Sequence, residues 1–319
     1  LREWLDAPGG LCYGQSKSPR GTLRACLLEG ASDMRAKISY LCLGLVLAAG
    51  TCAAQQNTPR VPDYSSVYCA GIVTNKSVPH DTYLISGEES NVKMTFSERD
   101  LVYLNRGSAQ GVKEGDQYSI IRPVRDEMRV PWNRYLGKLS HAMGTQYQDA
   151  GRVRVVHVLP KTSIAQVVFA CNYMRRGDIA RPFEERPAPP LKQDPSLDIF
   201  APVSGRPVGM VVTAKDFFIE AGAGQIVYVN LGSAQSSKVG DYVRAFRYQG
   251  THADYVFQTI GFEYKMYGFG SSPVRYTWAD LPREILGEGV VLSVSQNAST
   301  VLLTNTRRTV YAGDYIELE

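Results

Sequence analysis

No apolar run in this 319-residue chain reaches the roughly 20 residues that a bilayer-spanning helix needs. The longest, Ile38 to Ala49, is too short. The commonest catalytic signatures are also missing: there is no H-E-x-x-H, no C-x-x-C and no G-x-S-x-G. Histidine is scarce and scattered, at His80, His141, His157 and His252. His157 falls on an apolar strand face, where a satisfied core histidine is expected rather than a ligand. Gly222-Ala223-Gly224 opens like a dinucleotide loop, but a third glycine is lacking and a strand follows. No cofactor and no metal site is expected. Catalytic groups brought together only by folding would escape such a search.

Charge of one sign is lacking as well. From residue 55 onward 29 Lys+Arg face 27 Asp+Glu, a net +2. Nucleic acid, which is held by concentrated Lys and Arg, is excluded as the expected partner. Cysteine nearly vanishes over the same stretch, where only Cys69 and Cys171 remain of six.

The amino terminus carries address information. Met34-Arg35-Ala36-Lys37 precedes the Ile38–Ala49 run, and Gly50-Thr51-Cys52-Ala53-Ala54 follows. A basic region, an apolar core and a small-residue cleavage site make a secretory signal peptide over 34–54, with cleavage after Ala54. The competing readings are a short buried helix or a membrane anchor. Residues 1–33 show neither helical nor strand period and are expected to be disordered, upstream translation outside the native protein. Lipid attachment at Cys52 is the alternative to release, although Thr51 and Ala49 fit a lipoprotein signal poorly. The expected location is periplasmic or secreted, with no transmembrane helix left after cleavage. In an exported chain Cys69 and Cys171 read as a disulfide closing a loop of about 100 residues. Two buried thiols are the other reading.

The dominant feature is a repeat. Residues 102–116 read V-Y-L-N-R-G-S-A-Q-G-V-K-E-G-D, and residues 227–241 read V-Y-V-N-L-G-S-A-Q-S-S-K-V-G-D, at an offset of 125 without a gap. A repeat at that distance means two copies of a whole domain. Leu136-Gly137 matches Ile260-Gly261, and then Gly151 matches Gly287 and Gly177-Asp178 matches Gly313-Asp314 at an offset of 136. The second copy therefore carries a 12-residue insertion between Gly261 and Gly287. Upstream, Gly71-Ile72-Val73-Thr74 is aligned with Gly209-Met210-Val211-Val212, leaving about 13 extra residues in the first copy.

Both copies read as β. Val153, Val155, His157 and Leu159 share one face, with Arg154, Val156 and Val158 on the other; Ala165, Val167 and Phe169 repeat the alternation. No long stretch has helical period. Within the repeated motif Gly107 and Gly232 permit a reversal that a side chain would forbid. Gly115-Asp116 and Gly240-Asp241 form the turn that launches the next strand. Cation binding by the aspartates is the functional alternative, but Gly-Asp recurs at 177–178 and 313–314, and a turn explains all four. Residues 55–66 form a lead-in linker, 67–183 the first domain and 208–319 the second. Between them Pro182–Pro207 holds seven of the 17 prolines. This proline-rich linker, 184–207, is expected to hold the domains apart as a semi-rigid spacer.

The pattern V-Y-L-N-x-G-S-x-x-G-V-K-x-G-D-x-Y-x-I-I-R-P, then L-G, G-x-V-x-V-V, K-T-S-I-A-x-V and a closing G-D resembles the C-terminal domain of flagellar assembly protein T. Related small barrel modules occur in bacterial envelope proteins. The match runs across Val102 to Pro182, while the second copy lacks the Arg-Pro after its strand and carries the insertion. The resemblance implies two tandem small SH3-like or partly open β-barrels, export to the periplasm and binding to other envelope proteins. It implies no catalytic residues.

The insertion is where binding is expected. Tyr264, Met266, Tyr267, Phe269, Arg275, Tyr276, Trp278 and Arg283 fall within 20 residues, and Tyr, Trp and Arg dominate interface hot spots. The bland alternative is a loop folded back as a cap on its own barrel. The expected function is a non-enzymatic envelope protein that contacts protein partners, in a flagellar, pilus or secretion assembly. Peptidoglycan or polysaccharide binding is the second reading, since aromatic rings also stack on sugars. An enzyme with a site at the domain junction is the third.

Overall fold

A computed structural model describes residues 60–125, 133, 135–193, 196–249, 252–258, 272–278 and 281–319. The chain is mostly β, as expected. Its first lobe runs α1 (Tyr64–Tyr68), β1 (Ile72–Thr74), β2 (Leu84–Gly87), β3 (Thr95–Phe96), β4 (Leu101–Leu104), β5 (Gln117–Val124), α2 (Leu136–Met143), β6 (Thr145–Val158), β7 (Ser163–Ala170), β8 (Met174–Arg175) and β9 (Ile179–Pro182). Six of these strands pair antiparallel in the order β2-β4-β7-β6-β5-β9, and β1 adds to the start of β6. A single bridge, Tyr83 to Ile179, brings β9 back beside the start of β2.

The second lobe runs β10 (Val208–Ala214), β11 (Glu220–Ala221), β12 (Ile226–Val229), β13 (Tyr242–Arg247), β14 (His252–Gln258), β15 (Ser272–Trp278), β16 (Glu284–Val294), β17 (Ser299–Thr306), β18 (Val310–Tyr311) and β19 (Tyr315–Leu318). Here the order β10-β12-β17-β16-β13-β19 closes into a barrel, because β19 pairs with β10. Closure leaves no free edge among these strands.

The two strand orders correspond one to one, and so do the irregularities. Bulges interrupt β2/β4, β5/β6 and β6/β7 at positions that recur in β10/β12, β13/β16 and β16/β17. The bulge between Val155 and His157 corrects the expected strand face. Val153 and Val155 are buried, but the extra residue turns His157 and Leu159 outward. His157 is therefore no core histidine; its Nδ1 lies 3.3 Å from Glu114 Oε1 at the surface.

The upstream alignment also needs correcting. Leu84 N–H donates to Asp178 O in the first lobe, and Val211 N–H donates to Asp314 O in the second. Leu84 is thus the counterpart of Val211. The repeated asparagine fixes this register: Asn105 Oδ1 accepts from Tyr83 N–H at 2.8 Å, as Asn230 Oδ1 does from Met210 N–H at 2.6 Å. Ile72–Thr74, directly after Gly71, instead forms β1, an addition with no counterpart among the described strands of the second lobe. Helix α1 starts at Tyr64, inside the expected lead-in. Helix α2 is a second element the strand reading missed; Leu136, Leu139 and Met143 recur at helical spacing and face one apolar cluster.

Each lobe has its own interior. Leu84, Phe96, Val102, Leu104, Val153 and Met174 fill the first, and Val227, Val229, Leu286, Val291, Val301 and Ile316 the second. A third cluster joins them, in which Ala70, Val73, Leu136 and Met143 pack on Val212, Ile226, Tyr228, Val290, Leu292 and Leu302. Residues 58–319 form one compact unit. The expected spacer is therefore corrected: the lobes are fused along an apolar seam, because the outer face of the second barrel is itself apolar.

The proline-rich stretch lies on this body rather than apart from it. Arg186 grips the buried Asp149 with two hydrogen bonds of 2.8 and 2.7 Å, and Asp149 also accepts from Gly71 N–H at 2.8 Å. Leu191 packs against the seam, and Lys192 Nζ reaches Glu288 and Glu319 of the second lobe.

Candidate functional site

The repeated motif forms a latch in each lobe. Gly107 N–H donates to Gln110 Oε1, while Ser108 and Ala109 N–H donate to Leu159 and Pro160 O in the β6–β7 turn. Gly232, Ser233 and Ala234 repeat this with Gln235, Ser295 and Gln296. A Cβ on Gly107 would meet Leu159 O at 2.0 Å, and one on Gly232 would meet Gln296 O at 2.2 Å. Both glycines are required by that close approach. Gly115 and Gly240 have φ of +91° and +90°, and the Asp116 and Asp241 carboxylates accept from Lys113 and Lys238 N–H at 2.9 Å. Their hydrogen bonds are those of a turn.

The other two Gly-Asp pairs do more. Asp178 accepts Arg175 N–H and also pairs bidentate with Arg122, at 2.7 Å for both Nε and a terminal nitrogen. Asp314 does the same with Tyr311 N–H and with Arg247 at 2.7 and 2.6 Å. At the 125-residue offset Arg247 is the counterpart of Arg122. Only the proline of Arg-Pro is missing from the second copy. The signal is the arginine at equal offset in both copies.

Cys69 and Cys171 form a disulfide. It ties the end of α1 to the turn after β7, where Tyr64 meets Phe169 edge-on and Tyr68 stacks on Phe183.

Of the residues expected in a partner surface, Tyr264, Tyr267 and Phe269 lie outside the described residues. Arg275, Tyr276 and Trp278 lie on β15, opposite Tyr255, Asp254 and His252 of β14. These two strands make a sheet of their own, outside the barrel's hydrogen-bonded path. Arg283 is corrected. It turns inward, donating to Glu317 Oε2 at 2.9 Å and to the carbonyls of Ala201 and Pro202, with its guanidinium 4.8 Å from the Phe246 ring centre. A fully buried carboxylate at Glu317 demands that partner.

Burial alone would raise the Glu317 pKa, but Arg283, Ser204 N–H and Arg244 outweigh it and hold it below the usual range. A depressed carboxylate stabilises the fold above its unfolded value, about 4.3, and that contribution is lost as pH falls through the lower folded value. Arg283→Met is therefore expected to cost about 2 kcal/mol at pH 7. The difference from the parent should shrink toward pH 3. Urea midpoints at the two pH values check this, and a cost independent of pH would mean that Arg283 acts through packing alone.

Several clefts flank the seam. One of about 400 Å³ lies between the disulfide and Lys215, Asp216 and Phe218; another, of about 340 Å³, is bordered by Arg60, Asp63, Lys192 and Glu288. Burial pushes the Glu288 carboxyl up. Burial also opposes the charge on Lys192, yet Glu319 and Glu288 outweigh it and keep its pKa above the usual lysine value. Lys192 thereby anchors the stretch to the second lobe through its two carboxylates. Among the described residues no group of three His, Cys, Asp or Glu could hold a metal ion, and no helix is long and apolar enough to cross a membrane.

The chain was compared with protein families and with curated proteins: no family model matches it, and no curated protein is significantly similar to it.

Proposed function

We propose that the chain is an exported, non-enzymatic protein of a bacterial cell envelope, built on two tandem SH3-like barrels, that docks other envelope proteins. The observation that carries the docking reading is the β14–β15 hairpin. It stands as a separate sheet in the one connection where the second copy is longer than the first, and that connection carries a dense aromatic stretch. Longer connections on a rigid scaffold are where binding surfaces concentrate. Export is supported by the Cys69–Cys171 disulfide, a bond that persists in oxidising compartments. The repeated latches supply the rigidity. An accessory role in a flagellar, pilus or secretion assembly follows from the resemblance of the first copy.

The test replaces residues 259–271 with Asn-Gly, a two-residue turn that keeps β14 and β15 paired. Mildly cross-linked cells should yield a defined set of envelope proteins with the parent chain, and that set should vanish with the shortened hairpin. Recovery of cell-wall fragments in place of proteins would move the reading to a glycan binder. An unchanged set would remove the hairpin from the docking surface.

A further inference from the structure

The two lobes carry the same row of side chains with opposite charge. In the second barrel Glu288 of β16, Arg244 of β13 and Glu317 of β19 sit side by side across paired strands. Their counterparts in the first lobe, at offsets of 136, 125 and 136 residues, are Arg152 of β6, Ser119 of β5 and Arg181 of β9, paired in the same way. The second row is covered. Glu288 is 5% and Glu317 0% exposed; Lys192 Nζ lies 2.9 Å from the first, and Arg283 lies 2.9 Å from the second. Lys192 belongs to the proline-rich stretch, and Arg283 is bonded to that stretch through the carbonyls of Ala201 and Pro202. A proline-rich segment thus brings cations to a row of fixed carboxylates.

The first-lobe row has no such cover. Arg152 and Arg181 are half-buried, and among the described residues neither makes a hydrogen bond or an ion pair. The Arg152 guanidinium is held between the Phe183 and Tyr64 rings, 4.5 and 5.7 Å from their centres, and its Nε is buried without a partner. Stacking fixes the plane of the guanidinium and leaves its edge N–H groups to meet an anion. Arg181 and Ser119 line a cleft of about 280 Å³ whose walls include Pro187 and Leu292. Glu184 and Glu185 border the same cleft, but both are exposed and neither pairs with these arginines.

We propose that this row binds an extended acidic segment of a partner protein, with one carboxylate on Arg152 and another on Arg181. The strands set the spacing. Two interstrand steps put the arginine backbones roughly 10 Å apart, and residues i and i+3 of a polyproline helix project to one side about 9 Å apart. Acidic residues at that interval meet both guanidiniums, the charge inverse of what Lys192 and Arg283 do on the second barrel. The site lies on the other lobe from the β14–β15 hairpin and stands whether or not the hairpin docks a partner.

The test is fluorescence anisotropy with the full chain, its disulfide intact, and a labelled peptide Glu-Pro-Pro-Glu-Pro-Pro-Glu. The same peptide with Gln in place of Glu is the control. The acidic peptide should bind about tenfold more tightly or better, and salt should weaken it. Arg181→Met and Arg152→Met should each lower affinity about tenfold. Arg308→Met, at an exposed position on the second lobe, should leave binding unchanged, as should the shortened hairpin. Arg152 also packs between two rings, so near-ultraviolet circular dichroism checks the fold, and Arg181→Met carries the test alone if the Arg152 variant is unfolded. Equal affinity for the two peptides, or arginine variants that bind like the parent, would overturn the proposal. Polyphosphate binding more tightly than the peptide through the same arginines would also overturn it, because the ligand would then be a phosphate polymer.

Discussion

Replacing Tyr228 with alanine should cost about 3–5 kcal/mol and split one unfolding transition into two. Tyr228 is 1% exposed and donates its hydroxyl to Ala70 O at 2.7 Å across the seam. Burial, with Asp149 and Asp216 nearby, pushes its pKa up, so the phenol stays a neutral donor. The ring fits because residue 71 is glycine, where a Cβ would stand 2.5 Å from the tyrosine oxygen. Removing the ring empties the centre of the shared cluster and leaves a carbonyl unpaired. The lobes, each with its own core, would then melt separately. Tyr103→Ala supplies the control, because the same motif residue in the first copy is only half-buried and should cost about 1 kcal/mol. Calorimetry of both variants decides the matter. Equal losses, or one sharp transition for Tyr228→Ala, would mean that the seam does not couple the lobes.

The double variant Cys69→Ser, Cys171→Ser should lose about 4–5 kcal/mol in the chain-entropy account of a cross-link at this separation. The two cysteines lie 102 residues apart, so the bond restrains a loop covering most of the first lobe in its unfolded state. The loss should fall on the first lobe. There the bond also holds α1 against the Phe169 and Phe183 rings. Denaturant unfolding with and without reductant reads the effect, and unchanged midpoints would show that α1 stays in place without the bond.

The duplication was legible because the latch and turn residues are dictated locally. A glycine that must approach a carbonyl, or an aspartate that caps its own turn, leaves the same residue at the same offset. The alignment of Gly71 with Gly209 failed where the cause is long-range: two or three apolar residues after a glycine are no signature, and the contact that sets the true register joins Asn105 to Tyr83. The fused lobes were legible in part. Val290-Val291-Leu292 and Val301-Leu302-Leu303 are consecutive apolar runs, whereas Arg152-Val153-Arg154-Val155 in the first copy alternates. A strand apolar on both faces is buried on both faces. The candidate site was legible only as composition, since aromatic density does not say which arginine turns inward. Arg283 did so because Glu317, 34 residues later, lies buried without another guanidinium that close.

The proline-rich stretch meets the second lobe through Lys192 and the first through Arg186, and the seam beside it joins the lobes directly. The peptide that connects the halves is thus not what holds them together. A protease cutting between Lys192 and Val208 would leave two fragments still bound, each tied by its own contacts. The protein would outlast such a nick in its surroundings, and its halves would behave as subunits of a heterodimer that happens to be translated as one chain.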